Sequence, residues 1–462
     1  MLEYVIREIG DEMRNAIILA AGKGTRMKSS QSKVMHTIID RPMLAYIIDA
    51  LKAVDVQRIV VVVGYQAESI QSVFTDVEYA LQQPQLGTGH AVMQCTQLKD
   101  APGDTLVING DGPCIQPETL EALFQANQSA SLTLLTAKLE DGKSYGRIVR
   151  DENGNVSAIV EAKDCTPEQR EINEINAGMY CFNNKDLFDN LDKLQTNNAQ
   201  NEYYLTDMVS ILAGQGKRVN GMVIENRDEV MGINDCLELH TAYEWMKKKI
   251  NTHWMKEGVQ IVDPNRTVIG KDVTIGHDVI IHPNVELLSK TRIGNHVEIL
   301  PGSYIKDSVI EDDVRIESSE ITDAHVGSGT TVGPMAHLRN HTNVGCNCRI
   351  GNFVEFKNTN FGDGSKCAHL TYIGDCDVGK NVNIGCGVVT VNYDGKEKHR
   401  TVIKDGAFIG SNVNLIAPVT IGANALLAAG STITDDVEDG DMGIARSHQS
   451  IKHGFGDLYK NK

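Results

Sequence analysis

The chain has 462 residues, a length that suggests two to four domains at about 150 residues each. Its hydrophobic fraction is 41% and its charged fraction 23%, values typical of ordinary globular proteins. Lys and Arg number 44 and Asp and Glu 61, so the net charge is −17. Because binding to a polyanion depends on clustered cations, we expect neither nucleic acid nor an anionic membrane as a partner.

Neither end of the chain suggests export or a membrane span. Residues 1–12 are expected to be an extension before the fold, and they lack the apolar segment and cleavage site of a signal peptide. The uncharged run at 406–434 follows a six-residue period and contains polar residues, which argues against a membrane helix. We therefore expect a cytoplasmic protein whose ten cysteines are free thiols.

Apolar runs typical of strands alternate with helical runs in the first half of the chain. Strands are predicted at 15–19, 58–63 and 105–109, and helices at 42–52, 89–98 and 236–253. Fully apolar strands that alternate with helices indicate an α/β Rossmann-like domain with a parallel sheet covered on both faces. We assign this domain to 13–235 and a linker helix to 236–255.

The pattern then changes to a six-residue repeat. An aliphatic residue recurs as in Ile269, Ile275 and Ile281, and the repeat continues to Ile433 with a few shifts of frame. This period indicates a hexapeptide-repeat parallel β-helix, in which each short strand forms one face of a triangular coil. We assign it to 256–462, including a C-terminal tail. The clearest interruption, at 391–400, predicts a loop that leaves the coil.

Four cysteines can be placed on this repeat. Cys348 and Cys367 fall at inward-facing positions and are expected in the core, whereas Cys346 and Cys376 fall at positions outside it. Cys346 and Cys348 form a C-x-C pair near His341, which makes zinc conceivable. No second pair with zinc spacing follows, so we favour a structural role.

A glycine-bearing loop, LAAGKGTRM at 19–27, follows the first strand. Its small residues let backbone N–H groups approach a phosphate, and Lys23 and Arg26 add positive charge. The loop resembles the signature loop of sugar-phosphate nucleotidyltransferases, and Lys33 stands where that family has a second phosphate-binding lysine. The residues of the loop expected to contact the nucleotide are Leu19, Ala20, Ala21 and Gly22.

Further segments of the same family follow in order. Gln82 and LGTGH at 86–90, with Gly87 and Thr88, match its uracil-recognition segment. Asn109, Gly110 and Asp111 end a strand, where α/β folds bind ligands, although the family usually has Tyr in place of Asn109. Asn234 matches the family's second metal ligand, and with Asp111 it would offer Mg²⁺ the oxygen ligands that this ion prefers. Gly146, Glu161 and Asn176 match segments that hold N-acetylglucosamine.

The β-helix carries a second set of chemically suited residues. Arg339 and Lys357 form a cation pair that suits a phosphate, and His369 offers an imidazole, the side chain most often used as a general base. Arg339, Lys357 and His369 belong to a larger set of β-helix residues. This set resembles the acetyltransferase half of the family of bacterial bifunctional N-acetylglucosamine-1-phosphate uridyltransferase/glucosamine-1-phosphate N-acetyltransferases. The other members of the set are Tyr372, Asn383, Cys386, Asn392, Tyr393, Ser411, Ala429 and Arg446. The resemblance covers essentially the whole chain from Met13.

The resemblance implies two reactions in one chain. The β-helix would acetylate glucosamine-1-phosphate with acetyl-CoA. The first domain would then transfer UMP from UTP to N-acetylglucosamine-1-phosphate, giving pyrophosphate and UDP-N-acetylglucosamine for cell-envelope polysaccharides.

The resemblance also implies a role for each group of site residues. Mg²⁺ would bind Asp111 and Asn234 beside Arg26 and Lys33. His369 would be the general base, and Glu355 would orient it. Arg339, Lys357, Tyr372 and Asn383 would bind the sugar phosphate, and the other residues from Cys386 to Arg446 would bind acetyl-CoA. The β-helix would be left-handed and the protein a homotrimer. Cys386 stands where relatives commonly have Ala.

Alternative interpretations remain at this point. One is a single-activity sugar-1-phosphate nucleotidyltransferase whose β-helix only regulates or assembles subunits, which predicts no reactive set around His369. Another is a non-catalytic scaffold, which predicts the loss of Arg26, Lys33 and Asp111, and all three are present. A zinc-dependent β-helix hydratase would need three converging histidines that the sequence does not place.

Overall fold

The computed structural model describes residues 13–140, 142 and 145–460; the predicted extension at 1–12 lies outside them. The chain divides into two units, one ending at Met246 and the other running from Lys247 to Lys462. Within the described ranges, no helix is both long and apolar enough to cross a membrane.

The first unit is built on one central sheet and a small hairpin. Its strands are β1 (Arg14–Leu19), β2 (Thr37–Ile38), β3 (Arg41–Pro42), β4 (Arg58–Val63), β5 (Glu78–Leu81), β6 (Asp104–Asn109), β7 (Leu132–Lys138), β8 (Arg147–Arg150), β9 (Val156–Val160), β10 (Glu174–Asn183) and β11 (Val219–Val223). The sheet order is β11-β7-β10-β6-β1-β4-β5, and β8 joins β10 to β9. The α-helices are Met43–Ala53, Ala67–Gln71, Thr88–Met93, Pro117–Asn127, Pro167–Arg170, Asn184–Phe188, Asp207–Gly214 and Cys236–Lys256, the last of which continues into the second unit.

Most of the predicted elements are confirmed. The strands at 15–19, 58–63 and 105–109 are β1, β4 and β6, and the helices at 42–52 and 236–253 are Met43–Ala53 and Cys236–Lys256. The helix predicted at 89–98 is wrong in extent. It ends at Met93 and is followed by a 3₁₀ turn at Thr96–Leu98, because Cys95 leaves the helical region with φ −83° and ψ 46°.

The sheet is mixed, which corrects the prediction of a parallel sheet. Strand β10 is antiparallel to both β6 and β7, whereas β1 is parallel to β4 and β6. The amino-terminal end of β10 therefore meets the edge where β1, β4 and β6 have their carboxyl ends. Apolar side chains cover both faces of the sheet in two separate clusters, one with Ile18 and Val61 and one with Ile17 and Val60.

The second unit is the expected left-handed parallel β-helix. Its described strands begin at Gln260–Ile261 and end at Met442–Gly443, and most have two or three residues. Two are longer, Arg349–Phe361 and Lys366–Val378. Most short strands pair with the third strand after them, as Ile281 does with Ile299, so one turn of the coil takes three strands. The repeated aliphatic residues form one continuous core.

The coil length shows where the loop leaves the helix. Cys367 pairs with Ile384, 17 residues later, whereas Ile384 pairs with Ile409, 25 residues later. The second of these coils is therefore eight residues longer than the first. The extra residues lie between Val389–Val391 and Thr401–Ile403, so the predicted loop is confirmed. A short helix at Asp457–Lys460 lies near the end of the chain.

The cysteines follow the prediction with one exception. Cys348 and Cys367 are buried, and burial raises the pKa of Cys367 to about 12. Cys376 is also fully buried, which contradicts its predicted place outside the core. It lies two residues before the inward Val378, in a column of small buried residues that includes Thr359 and Thr401.

Candidate active sites

Two predicted metal ligands and two predicted cations meet at the carboxyl edge of the first sheet. Lys33 Nζ donates to Asp111 Oδ2 at 2.5 Å and to Asn234 Oδ1 at 2.9 Å. Arg26 Nη2 donates to the same amide oxygen at 2.7 Å. Asp111 follows β6 and Asn234 precedes the long helix Cys236–Lys256, so residues far apart in sequence converge around one ammonium group.

A cavity of about 770 Å³ opens beside this group. Apolar and polar side chains and glycines from several strands and loops line it, and nine predicted site residues are among them. Those residues are Leu19, Arg26, Thr88, Asn109, Asp111, Gly146, Glu161, Asn176 and Asn234. The structure therefore brings most of the predicted nucleotide-sugar residues into one cavity.

An irregularity in β10 shapes the wall of the cavity. The pairing of β10 with β7 shifts between Asn176 and Tyr180, and Gly178 lies in this bulge with φ +73°. A Cβ at Gly178 would collide with Asn109 Nδ2. Gly178 therefore permits both the turn of the backbone and the close approach of β6.

Two polar residues of the wall are held by specific hydrogen bonds. Thr206 Oγ1 donates to Glu161 Oε1 at 3.2 Å, and Asn176 Nδ2 donates to the buried Tyr180 hydroxyl at 2.6 Å. Burial, with smaller contributions from the charges of Asp164 and Asp207, raises the pKa of Glu161. This carboxyl group is thus half-buried in the wall of the cavity.

The predicted uracil segment lies beside a second cavity of about 390 Å³, which Lys23 and Gln82 help to line. Gln82 is buried, and its Nε2 donates to the Gly87 carbonyl at 2.9 Å. The His90 ring lies near that of Tyr203, with 6.3 Å between centroids.

The other predicted loop residues contribute backbone geometry. Ala20 N donates to the Val62 carbonyl at 3.0 Å, and Gly110 N donates to that of Leu19 at 2.9 Å. Ala21 accepts from Tyr65 N at 3.2 Å. A Cβ at Gly22 would meet no described atom within 4 Å, so this glycine leaves open space beside the loop.

In the second unit, one corner of the β-helix carries His369 and three of the predicted acetyl-CoA residues. Gly387 N donates to the Leu370 carbonyl at 3.1 Å, so Cys386 lies one coil from His369. Asn412 N donates to the Cys386 carbonyl, and Gly430 N to the Ser411 carbonyl, which places Ser411 and Ala429 on the next two coils.

Arg446 lies at the end of this column, where its Nη1 donates to the Ala429 carbonyl at 2.7 Å. Asn383 lies on the adjoining face, paired with Lys366 and Phe408.

A cluster of cations lies on another face of the same coils. Arg339 pairs in register with Lys357, and Tyr372 packs over Gly374, the next residue in that row. The neighbouring Lys398 side chain, followed by burial and the charge of Arg339, lowers the pKa of Lys357. Cations held this close to one another favour an anionic ligand.

Glu355, predicted to orient His369, and His369 itself have different hydrogen-bond partners in this structure. Glu355 Oε1 accepts from Arg339 Nε at 3.0 Å. His369 Nδ1 instead lies 2.9 Å from Asn352 Oδ1, because Asn352 pairs in register with His369 one coil away, whereas Glu355 pairs with Tyr372.

The loop at 392–400 is anchored by Asn392. Asn392 is buried and its amide donates to Asp375 Oδ2, while Tyr393 is 58% exposed. Tyr393 also forms a bridge with Lys398 across the loop. The loop thereby holds Lys398 near the coil.

Sequence reasoning missed three residues that the structure places at these sites. Asn352 could have been predicted from the sequence, because it lies 17 residues, or one coil, before His369. Lys398 belongs to a basic run in an otherwise acidic chain. Thr206 carries no comparable signal. The C-x-C pair at Cys346 and Cys348 does not belong to any metal-binding group among the residues that the structure describes.

Comparisons with known proteins cover both units. Residues 15–246 match the nucleotidyl transferase family, and residues 400–435 match the bacterial transferase hexapeptide (six repeats) family. The bifunctional protein GlmU of Exiguobacterium sibiricum is 50% identical over 441 residues, which cover 95% of this chain and 98% of that protein. Proteins of the same name from Clostridium novyi and Clostridioides difficile are each 47% identical, over 94% and 95% of this chain and 96% of their own length.

Proposed function

The chain belongs to the family of bifunctional GlmU proteins, and from that premise we propose how its residues divide the two reactions. It is a bifunctional transferase that acetylates glucosamine-1-phosphate and then joins N-acetylglucosamine-1-phosphate to UMP from UTP. The observation that carries our assignment is the presence of two separate reactive sets, one on the first sheet and one on the β-helix. A single-activity enzyme with an assembly β-helix would not need the second set.

Uridyl transfer is assigned to the cavity of the first unit. The sugar-phosphate oxygen attacks the α-phosphorus of UTP, and pyrophosphate leaves. Arg26 and Lys33 would neutralise the charge that develops on the phosphates. Glu161 and Asn176 would bind the sugar from the wall of the cavity, and Gln82 would read the base.

The residues present fit a Mg²⁺ ion. Asp111 and Asn234 direct two oxygens toward a single cation, the Lys33 ammonium, at 2.5 and 2.9 Å, and Mg²⁺ prefers such hard oxygen ligands. When bound by Asp111 and Asn234, Mg²⁺ would supply positive charge that stabilises the leaving pyrophosphate. Lys33 would then release these two oxygens and bind phosphate instead.

Acetyl transfer is assigned to the corner that carries His369. Asn352 Oδ1 can only accept a hydrogen bond, so the contact at 2.9 Å assigns the proton to Nδ1 of His369. Nε2 is then free to take a proton from the substrate ammonium. The amine attacks the thioester carbonyl, the C–S bond breaks, and coenzyme A leaves as the thiol once its sulfur takes the second proton of the amine. Arg339, Lys357 and Lys398 would hold the phosphate, and the column from Cys386 to Ala429 would hold the coenzyme.

The protein is proposed to be a homotrimer. Met335, Phe353 and Leu370 stack on successive coils, each with positive φ, and are 57%, 58% and 61% exposed. Three large apolar side chains in one exposed column indicate a surface that another subunit covers. Mass measurement by light scattering should give a trimer, and Phe353→Glu should give a smaller species. A monomeric parent protein would contradict the proposal.

One assay tests both activities together. The protein is incubated with glucosamine-1-phosphate, acetyl-CoA, UTP and Mg²⁺, and we expect UDP-N-acetylglucosamine and pyrophosphate. UTP and acetyl-CoA are abundant in the cytoplasm, where we infer that the enzyme works. If product forms only when N-acetylglucosamine-1-phosphate is supplied, the acetyltransferase assignment fails.

A further inference from the structure

An exposed corner of the first coils of the β-helix carries two histidines and an aspartate in close contact. His277 Nδ1 lies 2.7 Å from Asp278 Oδ2, and His296 Nε2 lies 3.7 Å from the same oxygen. One nitrogen or oxygen from each residue lies within 4.8 Å of the others. Across the described part of the chain, no other three His, Cys, Asp or Glu residues meet in this way.

The backbone explains how the three side chains meet. His296 N donates to the His277 carbonyl at 3.0 Å, so the two residues lie on adjacent coils. Asn295 Oδ1 accepts from His277 N at 3.1 Å, and the Asn295 amide donates to Asp312 on the following coil. These bonds between coils fix the backbone that carries both histidines.

A second carboxylate orients one of the imidazoles. Asp313 Oδ1 lies 3.2 Å from His296 Nδ1, on the side of the ring opposite Asp278. A carboxylate that accepts from one histidine nitrogen leaves the other nitrogen as a free electron-pair donor, which is a common support for a metal-binding histidine. Farther along the same corner stand Gly329 and Asn347, so the imidazole pair is confined to the first coils.

We propose that His277, Asp278 and His296 bind a divalent late transition-metal ion, such as Zn²⁺ or Co²⁺. Two imidazoles and one carboxylate suit these metals, whereas Mg²⁺ prefers oxygen ligands. Bonds of about 2.0–2.1 Å in a tetrahedral site place ligand atoms about 3.3 Å apart. The observed separations of 2.7 and 3.7 Å lie on either side of that value, so small rotations of exposed side chains would complete the site. Water would fill the remaining position.

The test measures Co²⁺ binding to untagged, EDTA-dialysed protein in excess Mg²⁺, by equilibrium dialysis with metal analysis and by visible absorption. The variant His296→Asn removes an imidazole ligand and Asp278→Asn removes the charge of the carboxylate ligand, and Asn tolerates the positive φ of both positions. The control is His325→Asn. His325 also contacts a carboxylate, that of Glu311, and an amide, that of Asn343, but it belongs to no three-residue group in the described ranges.

We expect the parent protein and His325→Asn to bind one more Co²⁺ per chain than His296→Asn and Asp278→Asn. The spectrum of that ion should lack sulfur-to-cobalt charge transfer, which would mark cysteine ligands instead. Co²⁺ should also raise the melting temperature of the parent protein but not that of His296→Asn, since an ion that binds only the folded state stabilises it. Equal binding by the parent protein and His296→Asn, or an equal loss in His325→Asn, would overturn the proposal. Unchanged acetyl transfer without Co²⁺ verifies that the β-helix of each variant is folded.

Discussion

Glu161 carries a carboxyl group inside a cavity, and its environment opposes its charge. Burial is the main reason that its pKa lies above the ordinary value of 4.5. The unfolded chain exposes the same group to water, so the folded state binds more protons than the unfolded state between the two pKa values. Stability therefore falls as pH rises from about 4.5 through the folded pKa, and the loss persists above it.

Replacement of Glu161 by Gln should stabilise the protein and weaken sugar binding. The amide cannot ionise, so the gain in melting temperature of Glu161→Gln should be larger at pH 8 than at pH 5. The KM for N-acetylglucosamine-1-phosphate should rise, because a charged acceptor is lost. Glu168→Gln is the control. A backbone hydrogen bond at the start of its helix lowers the pKa of exposed Glu168, so the melting temperature of this variant should not increase. A gain for Glu161→Gln that is independent of pH would contradict the argument.

The contact between His369 and Asn352 leads to a second residue-scale prediction. His369→Ala should lower acetyl transfer by roughly 10²–10⁴-fold, the range for loss of a general base. Asn352→Ala should lower it by about 10–100-fold, since a hydrogen bond to the imidazolium is worth about 1.5–3 kcal/mol. The pH profile of kcat should shift as well, which a merely structural role would not cause.

Asn343→Ala provides the matched control for that pair. His325 Nδ1 lies 2.9 Å from Asn343 Oδ1, the same distance as in the His369 pair. Loss of this amide should leave acetyl transfer unchanged. If both asparagine variants reduced the rate equally, the effect would come from the coil and not from His369.

At the scale of elements, the antiparallel strand β10 matters most for the first site. It delivers Asn176 from its amino-terminal end to the edge where β6 delivers Asp111. The hydrophobic pattern predicted the buried strands because each is a continuous apolar run. It could not give the direction of β10, since strand direction depends on pairing with neighbours and not on composition.

The bulge in β10 can be tested with two glycines of equal backbone angle. Gly178 and Gly216 both have φ +73°, but an added Cβ would collide with Asn109 only at Gly178 and would meet nothing within 4 Å at Gly216. Alanine at either position should cost about 1–2 kcal/mol in the free energy of unfolding. Only Gly178→Ala should also reduce uridyl transfer. Chemical denaturation and initial rates measure the two effects, and equal rates in both folded variants would show that the bulge does not shape the site.

For the whole molecule, the sequence predicted the architecture more fully than it predicted the contacts between individual side chains. The six-residue repeat predicted the β-helix and the loop, because one aliphatic residue per short strand must face the core in every coil. The loop motifs predicted which residues line the first cavity. The partner of His369 and the place of Lys398 depend on how the coils and the loop stack, so motif order alone did not point to Asn352 as the hydrogen-bond partner of His369. Cys376 was misplaced because two of the three residues at 376–378, Cys376 and Val378, face inward.

The division into two units predicts that the two activities can be lost separately. Asp111→Asn removes the charge of a proposed metal ligand but keeps an oxygen that can accept from Lys33, which is mostly buried. Uridyl transfer should fall by about 10²-fold or more, because a catalytic metal ion contributes several kcal/mol to the transition state. Acetyl transfer should be unchanged, since His369 and the cations around Lys357 belong to the other unit. His369→Ala should give the reverse pattern, and separate assays of acetyl-CoA consumption and pyrophosphate release distinguish the two. A folded Asp111→Asn variant that lost both activities together would show that the two sites are not independent.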